Sequence, residues 1–186
     1  MAERPQAIVV SGHMVDRPGR PQPRFPPEQV PHVAAKVRDQ LERWGVGPGT
    51  TLLTGGARGA DIIAAEAALE RGAEVRLVLA REPGDFVSDS VSLPQTDWEE
   101  RFRALVGRAD VEIVGGSDDD VYARTNERII ERAREVDDHP LALIVWNGEE
   151  GDGPGGTSDF VARLGRVSGE DRIVVIDPTP QPSSTD

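Results

Sequence analysis

Cysteine is missing from the chain altogether, which removes disulfides, zinc-thiolate sites and thiol catalysis and leaves the redox character of its compartment open. Aromatic residues are few, with three Trp, one Tyr and four Phe, a thin supply of stacking platforms for single-stranded nucleic acid. Basic residues are outnumbered, 21 Lys and Arg against 33 Asp and Glu, for a formal net charge of −12. A sequence-independent grip on duplex phosphates is disfavoured by that balance, and nucleic acid ranks low among the expected partners. No run approaches the roughly 18 apolar residues of a membrane span, and the first six residues carry neither the basic start nor the apolar stretch of a secretory signal. The expectation is a soluble, cytoplasmic protein without a membrane partner.

What is present suffices for one core. The 186 residues are 37% hydrophobic and 29% charged, polar for a globular domain, yet the apolar residues arrive in dense blocks and not as the dilute scatter of a disordered chain. Six blocks, at 7–11, 51–54, 75–79, 111–114, 141–146 and 173–176, read as strands. Most are continuous Val, Ile and Leu runs without polar alternation, the pattern of a parallel sheet covered on both faces.

Helical patterns lie between the blocks. Val30, Val33, Ala34, Val37, Leu41 and Trp44 recur at three- and four-residue spacing and stop at Gly45. Residues 58–71 carry Ile62, Ala65 and Leu69 on one face and stop at Gly72. Thr96-Asp97-Trp98-Glu99 fits a capping box ahead of Phe102 and Leu105. Asp118-Asp119-Asp120 precedes Val121, Ile129, Ala133 and Val136, which reads as acid at an electropositive helix start and not as a metal site. A short helix over 157–164 ends at Gly165. Strands alternating with helices predict one Rossmann-like, three-layer α/β domain with a mainly parallel sheet of about six strands over residues 6–178. Residues 1–5 are expected to be a flexible N-terminus, and the Pro- and Ser-rich residues 179–186 a disordered tail.

In such a sheet ligands bind beyond the carboxyl ends of the strands, so the segments after each strand are where chemistry is sought. After the second comes Gly55-Gly56-Ala57-Arg58-Gly59-Ala60-Asp61, opening into a helix. Unpaired amides and the helix dipole there favour an anion such as phosphate, with Arg58 supplying a cation. After the fifth comes Trp146-Asn147-Gly148-Glu149-Glu150 and then Gly155-Gly156-Thr157, again opening into a helix. That is a second candidate cradle, whose plain alternative is a mobile surface loop.

The excursion after the first strand, Ser11-Gly12-His13 through Arg17, Arg20 and Arg24, is stiffened by prolines and brings positive charge to the same edge. Ser11 and Gly12 offer a hydroxyl and a close amide, and Arg20 and Arg24 offer forked contacts to phosphate oxygens. For any one arginine, pairing with the protein's own carboxylates is an equal alternative. His13 is a candidate acid or base, though a loop histidine more often makes a polar contact. Trp146 is placed to stack on a base and Asn147 to bond a base or ribose; the alternative for Trp146 is the core. Arg124 and Asn126 follow the fourth strand, with Arg124 expected at the surface.

These pieces resemble the SLOG superfamily, which groups the Lonely Guy (LOG) phosphoribohydrolases with the DNA-processing SMF proteins and several nucleotide-signal sensors. Thr54-Gly55-Gly56-Ala57-Arg58-Gly59-Ala60-Asp61, with the helix to Gly72 and the strand at 75–79, is similar to the glycine turn of the DNA-processing branch; Pro154-Gly155-Gly156-Thr157 resembles the LOG loop. The resemblance implies a Rossmann-like sheet that binds nucleotides or nucleotide derivatives, commonly as a homodimer. The chain departs from the LOG motif PGGxGTxxE: Gly156 runs straight into Thr157, and Phe160 stands where the LOG glutamate would fall, with Asp159 one residue earlier.

Two functions are expected to compete. One is hydrolysis of the N-glycosidic bond of a nucleoside monophosphate, which needs a carboxylate at the developing ribosyl cation. Asp159 and Asp61 are the catalytic candidates, ahead of Glu149 and Glu150, and Asp61 has a ribose-binding or structural role as its alternative. The other is a non-catalytic sensor of a nucleotide signal acting through a protein partner. Single-strand DNA binding ranks last. No cofactor and no metal is expected.

Overall fold

The computed structural model describes residues 6–116, 118–150, 155–165 and 169–180; the expected N-terminal segment 1–5, residues 151–154 of the second glycine-rich loop and residues 181–186 of the expected tail lie outside them. Six strands form one parallel sheet: β1 (Gln6–Gly12), β2 (Thr50–Thr54), β3 (Glu74–Leu79), β4 (Asp110–Ile113), β5 (Leu141–Val145) and β6 (Ile173–Ile176). Their order across the sheet is β4-β3-β2-β1-β5-β6. The helices are α1 (Val30–Arg43), α2 (Ala60–Glu70), α3 (Pro83–Phe86), α4 (Trp98–Val106), α5 (Val121–Val136) and α6 (Thr157–Leu164).

Successive strand residues point to opposite faces, and here both faces are buried. Ile8, Val10, Leu52, Leu77, Leu143 and Val145 join the α1, α2 and α4 layer through Val37, Leu41, Ile62 and Phe102. Their neighbours Ala7, Val9, Leu53, Val78, Ala142 and Ile144 meet Ile129, Ala133, Phe160 and Leu164 of α5 and α6. That is why the apolar runs of the inner strands show no alternation; the edge strands β4 and β6 keep exposed residues, Val111, Ile113 and Val175 among them. The result is the Rossmann-like three-layer domain with a six-stranded sheet that those runs predict.

The chain steps from β1 to β4 in one direction, then α5 carries it back so that β5 pairs on the other side of β1. This reversal is the kind of switch point beside which open α/β sheets hold ligands. Helix α2 sits deepest, buried at Ala60 to Ala65 and again at Ala67 and Ala68. It is therefore a helix apolar nearly all round and not the one-faced helix its spacing suggests; Leu69 is only half-buried.

Two expectations change. The Thr96 hydroxyl donates to the Leu93 carbonyl at 2.7 Å and does not cap α4, whose N-cap position is Asp97. Gln95, at φ +61°, turns the chain just before it, so Thr96 belongs to the preceding turn. The second difference is α3 with the π-type turn Val87–Val91 that follows it. Segments this short carry no readable 3.6-residue period; only Pro83 at the first helical turn hints at them.

Candidate functional site

A cavity of about 550 Å³ opens above the carboxyl ends of β1, β2 and β3, within the range of small-molecule sites. The two glycine turns meet there. Gly55, Ala57 and Arg58 line it from the β2 side, and Gly155, Gly156 and Thr157 from the start of α6. Ser11, Gly12, Arg20 and Arg24 line it as well, from the end of β1 and the loop beyond.

The other glycines of the first turn have different work. Gly56 faces the core, where a β-carbon would lie 3.3 Å from Leu79 Cδ2 and 3.4 Å from Phe102 Cε2. Gly59 holds φ +100°, and a β-carbon there would meet His13 O and Val15 N, both at 2.9 Å. Its bare Cα lets the β1 loop cross directly over the start of α2, and it ends helical geometry so that α2 begins at Ala60 and not at Arg58.

Arg58 is only 4% exposed. Its amide donates to Ser90 O at 3.0 Å and its Nε to Val15 O at 3.0 Å, while Nη1 is buried with no hydrogen-bond partner. Burial, and then the neighbouring Arg17, lowers its pKa from the ordinary arginine value. Asp61, 7% exposed and also on the cavity wall, accepts the Ala57 amide through Oδ2 at 3.1 Å; its Oδ1 is buried and unpartnered. Burial pushes its carboxyl up to about 7, against the pull of the Ala57 amide, the Thr54 hydroxyl and the Gly56 amide. At neutral pH Asp61 can thus hold or release a proton.

The arginine loop is built on Asp16, a residue the sequence pattern does not mark. Buried to 6% exposure, it accepts the amides of Arg24 at 2.8 Å and Phe25 at 3.0 Å through one oxygen, and its own amide donates to Phe25 O at 2.8 Å. Phe25 is fully buried beneath. Arg20 lies 3.6 Å from the other Asp16 oxygen and donates to Gln22 O at 3.0 Å. Arg17, Arg20 and Arg24 therefore reach the cavity from a pinned loop.

Asp159 stands apart. Its Oδ2 accepts Arg163 Nε at 2.8 Å, Asn126 Nδ2 at 3.2 Å and the Gly155 amide at 3.3 Å, and it is not among the cavity-lining residues. Burial raises its pKa, but the hydrogen bonds from Arg163 and Asn126 outweigh that and hold it below the usual carboxylate range. It fastens α6 to α5 and to the second glycine turn.

Trp146 and Asn147 also lie off the cavity wall. Trp146 continues the two-residue alternation of Ala142 and Ile144, which turns it toward the α5 and α6 layer, and its indole Nε1 donates to Glu149 O at 2.9 Å. Asn147 Oδ1 lies 2.8 Å from Nε2 of the buried His13, and its Nδ2 donates to Glu149 at 3.1 Å. Arg124 points outward, its Nη1 2.6 Å from Asp118 Oδ1, whereas Asn126 does line the cavity.

Sequence reading missed the wall opposite the arginines: Phe86, Asp89 and Ser90 after β3, and Tyr122, Thr125 and Ile129 on α5. The positions on α5 lie three or four residues apart, a spacing that reads equally as plain core. Among the described residues no cluster of three or more His, Asp or Glu side chains could hold a metal, and no helix is long and apolar enough to cross a membrane.

Fold and cavity define a Rossmann-like α/β domain with a ligand-sized cleft above its central strands. No protein-family model matches the chain, and no curated protein does. Similar solved structures include the X-ray structure of TM1055, a target of the Northeast Structural Genomics Consortium, at 13% identity and a TM-score of 0.40, covering 96% of this chain and 86% of that one. The X-ray structure of DNA processing protein A (DprA) from Streptococcus pneumoniae is similar at 16% identity and a TM-score of 0.42, over 94% of this chain and 59% of that chain. The Moco carrier protein from Chlamydomonas reinhardtii follows at 17% identity and 0.34, over 94% and 91%.

Proposed function

We propose that the protein binds a nucleotide or nucleotide derivative in the cavity above β1, β2 and β3, with the anionic group held by Arg58, the β1-loop arginines and the amides at the starts of α2 and α6. The observation that carries this reading is the convergence of Gly55–Arg58 and Gly155–Thr157, far apart in sequence, on one cavity also lined by Arg17, Arg20 and Arg24. Two helix starts and several guanidinium groups around one space are a setting for phosphate. Arg58 Nη1, buried without a partner, is a donor that a phosphate oxygen would satisfy.

A second reading, cleavage of the N-glycosidic bond of a bound nucleoside monophosphate, is favoured by Asp61. It is the carboxyl group on the cavity wall with an unpartnered oxygen and a pKa of about 7, and either form has a role in such a reaction, the acid on the leaving base and the carboxylate beside the ribosyl cation. Asp159, held by Arg163 and Asn126, is less suited to it. The sensor reading needs none of this chemistry.

Incubation of the pure protein with the four nucleoside 5′-monophosphates, with thermal unfolding and chromatography run side by side, separates the two. Stabilisation without release of free base supports a sensor, and release of base with ribose 5-phosphate supports a hydrolase. No stabilisation and no release with any nucleotide would overturn nucleotide binding.

A further inference from the structure

The cavity differs in character from end to end. The strand order β3-β2-β1 puts the loop with Arg17, Arg20 and Arg24 on one side of the β2 turn and the segment after β3 on the other. The β3 end is lined by Phe86, Ser90 and Tyr122. Its one acid, Asp89, lies 3.3 Å from Arg81 Nη1, which offsets its charge.

Tyr122 is the protein's sole tyrosine, and it is held from several directions. Its Cβ packs against Gly155. Its hydroxyl lies 3.3 Å from Ser90 Oγ. The Arg81 guanidinium, which is not part of the cavity wall, sits over the ring at 5.9 Å from its centre. One face of the ring is thus covered by a cation from outside the cavity while the residue itself contributes to the wall. A planar side chain fixed in place before binding loses little entropy when a flat ligand group stacks on it.

We propose that Tyr122, with Ser90 beside it, is the subsite for the planar, uncharged part of the ligand, the base of a nucleotide whose phosphate lies at the arginine end. This inference rests on the nucleotide reading above and goes further, because it assigns an orientation and gives Tyr122 the stacking role that the sequence pattern assigns to Trp146. A phosphorylated sugar without a base would fill only the arginine end.

The test compares ribose 5-phosphate with the four nucleoside 5′-monophosphates by calorimetric titration. Tyr122→Leu is expected to weaken the best nucleotide about tenfold and to leave ribose 5-phosphate within about twofold, with Tyr122→Phe close to wild type and Trp146→Leu unchanged on both. Arg24→Ala weakens both classes. Equal loss on both ligands in Tyr122→Leu, or no loss on either, overturns the subsite while leaving nucleotide binding intact. Absence of wild-type binding to any of these ligands overturns both readings.

Should Tyr122→Leu fail to fold, the wild-type protein supplies the readout. Ring-labelled tyrosine gives one set of resonances, which nucleotide but not ribose 5-phosphate shifts by the ring current of the base. Identical shifts with both ligands would sink the assignment.

Discussion

Gly155 packs so closely on Tyr122 that a β-carbon at position 155 would lie 2.5 Å from the tyrosine Cβ and 2.8 Å from the Ala123 nitrogen. The second glycine turn and the start of α5 are in this way one contact, and the wall of the cavity depends on it. The same residue holds φ +87°, which a side chain rarely adopts.

Gly155→Ala is therefore expected to destabilise the fold by about 1 to 3 kcal/mol and to weaken nucleotide binding by displacing Tyr122. Urea unfolding and titration of the same preparation check this. An unchanged midpoint with unchanged affinity would show that the turn relaxes away from α5 at no cost.

Asp61 makes a signed prediction about pH. Its carboxyl is raised from the ordinary 3.8 to about 7 in the folded protein, so between those values the folded state keeps a proton that the unfolded state has released. The contribution to stability is complete at low pH, declines as pH rises through that window and is gone above about 7. Asp61→Asn removes this decline. Relative to wild type the variant should gain on the order of 1 to 3 kcal/mol between pH 4.5 and 8, read as the difference of two denaturation series. A difference that stays constant over that range would mean Asp61 titrates as an ordinary carboxyl.

Removal of the Asp16 carboxylate leaves the buried amide of Phe25 and the partly buried amide of Arg24 without the acceptor they share. Asp16→Ala should cost about 2 to 4 kcal/mol and weaken binding of every phosphorylated ligand, because Arg20 and Arg24 lose the loop that presents them. Asp16→Asn keeps an oxygen acceptor and should recover part of both. Limited proteolysis across residues 13–27 is a direct measure of the loosened loop.

Arg58 and Asp159 separate site from scaffold. Arg58→Ala is expected to weaken nucleoside monophosphate binding at least tenfold and to lose about 1 to 2 kcal/mol of stability with the bond to the Val15 carbonyl. Asp159→Asn should lower stability by about 1 kcal/mol through Arg163 and Asn126, with binding within twofold of wild type. A tenfold loss of binding in Asp159→Asn would put that carboxylate in the ligand's reach after all.

Much of the architecture was legible because it follows from local pattern. Unbroken runs such as Leu141 to Val145, short and bounded by turn residues, read as buried strands, and the helices between them announce their ends with Gly45, Gly72 and Gly165. Thr96 misled because a capping pattern and a turn hydroxyl bonded to Leu93 look alike in sequence. Trp146, the residue after β5, lies off the cavity wall because it continues the phase of Ala142 and Ile144, the side that packs against α5 and α6.

At the site the division falls between kinds of residue and their assembly. Residue order alone placed the glycines after β2 and β5 and the arginines after β1, since a tight turn into a helix and a stiff, proline-rich loop are local properties of the chain. It also placed Asp61 in the first turn of α2, but a carboxyl there is ordinary until burial raises its pKa, and burial is a property of the surrounding layers. The meeting of Gly55–Arg58 with Gly155–Thr157, the capture of Asp159 by Asn126, and the setting of Tyr122 between Arg81, Ser90 and Gly155 were decided by tertiary structure only. Each joins segments that are remote in sequence, and the distances between them depend on how the strands are ordered and on which face each crossover helix lies.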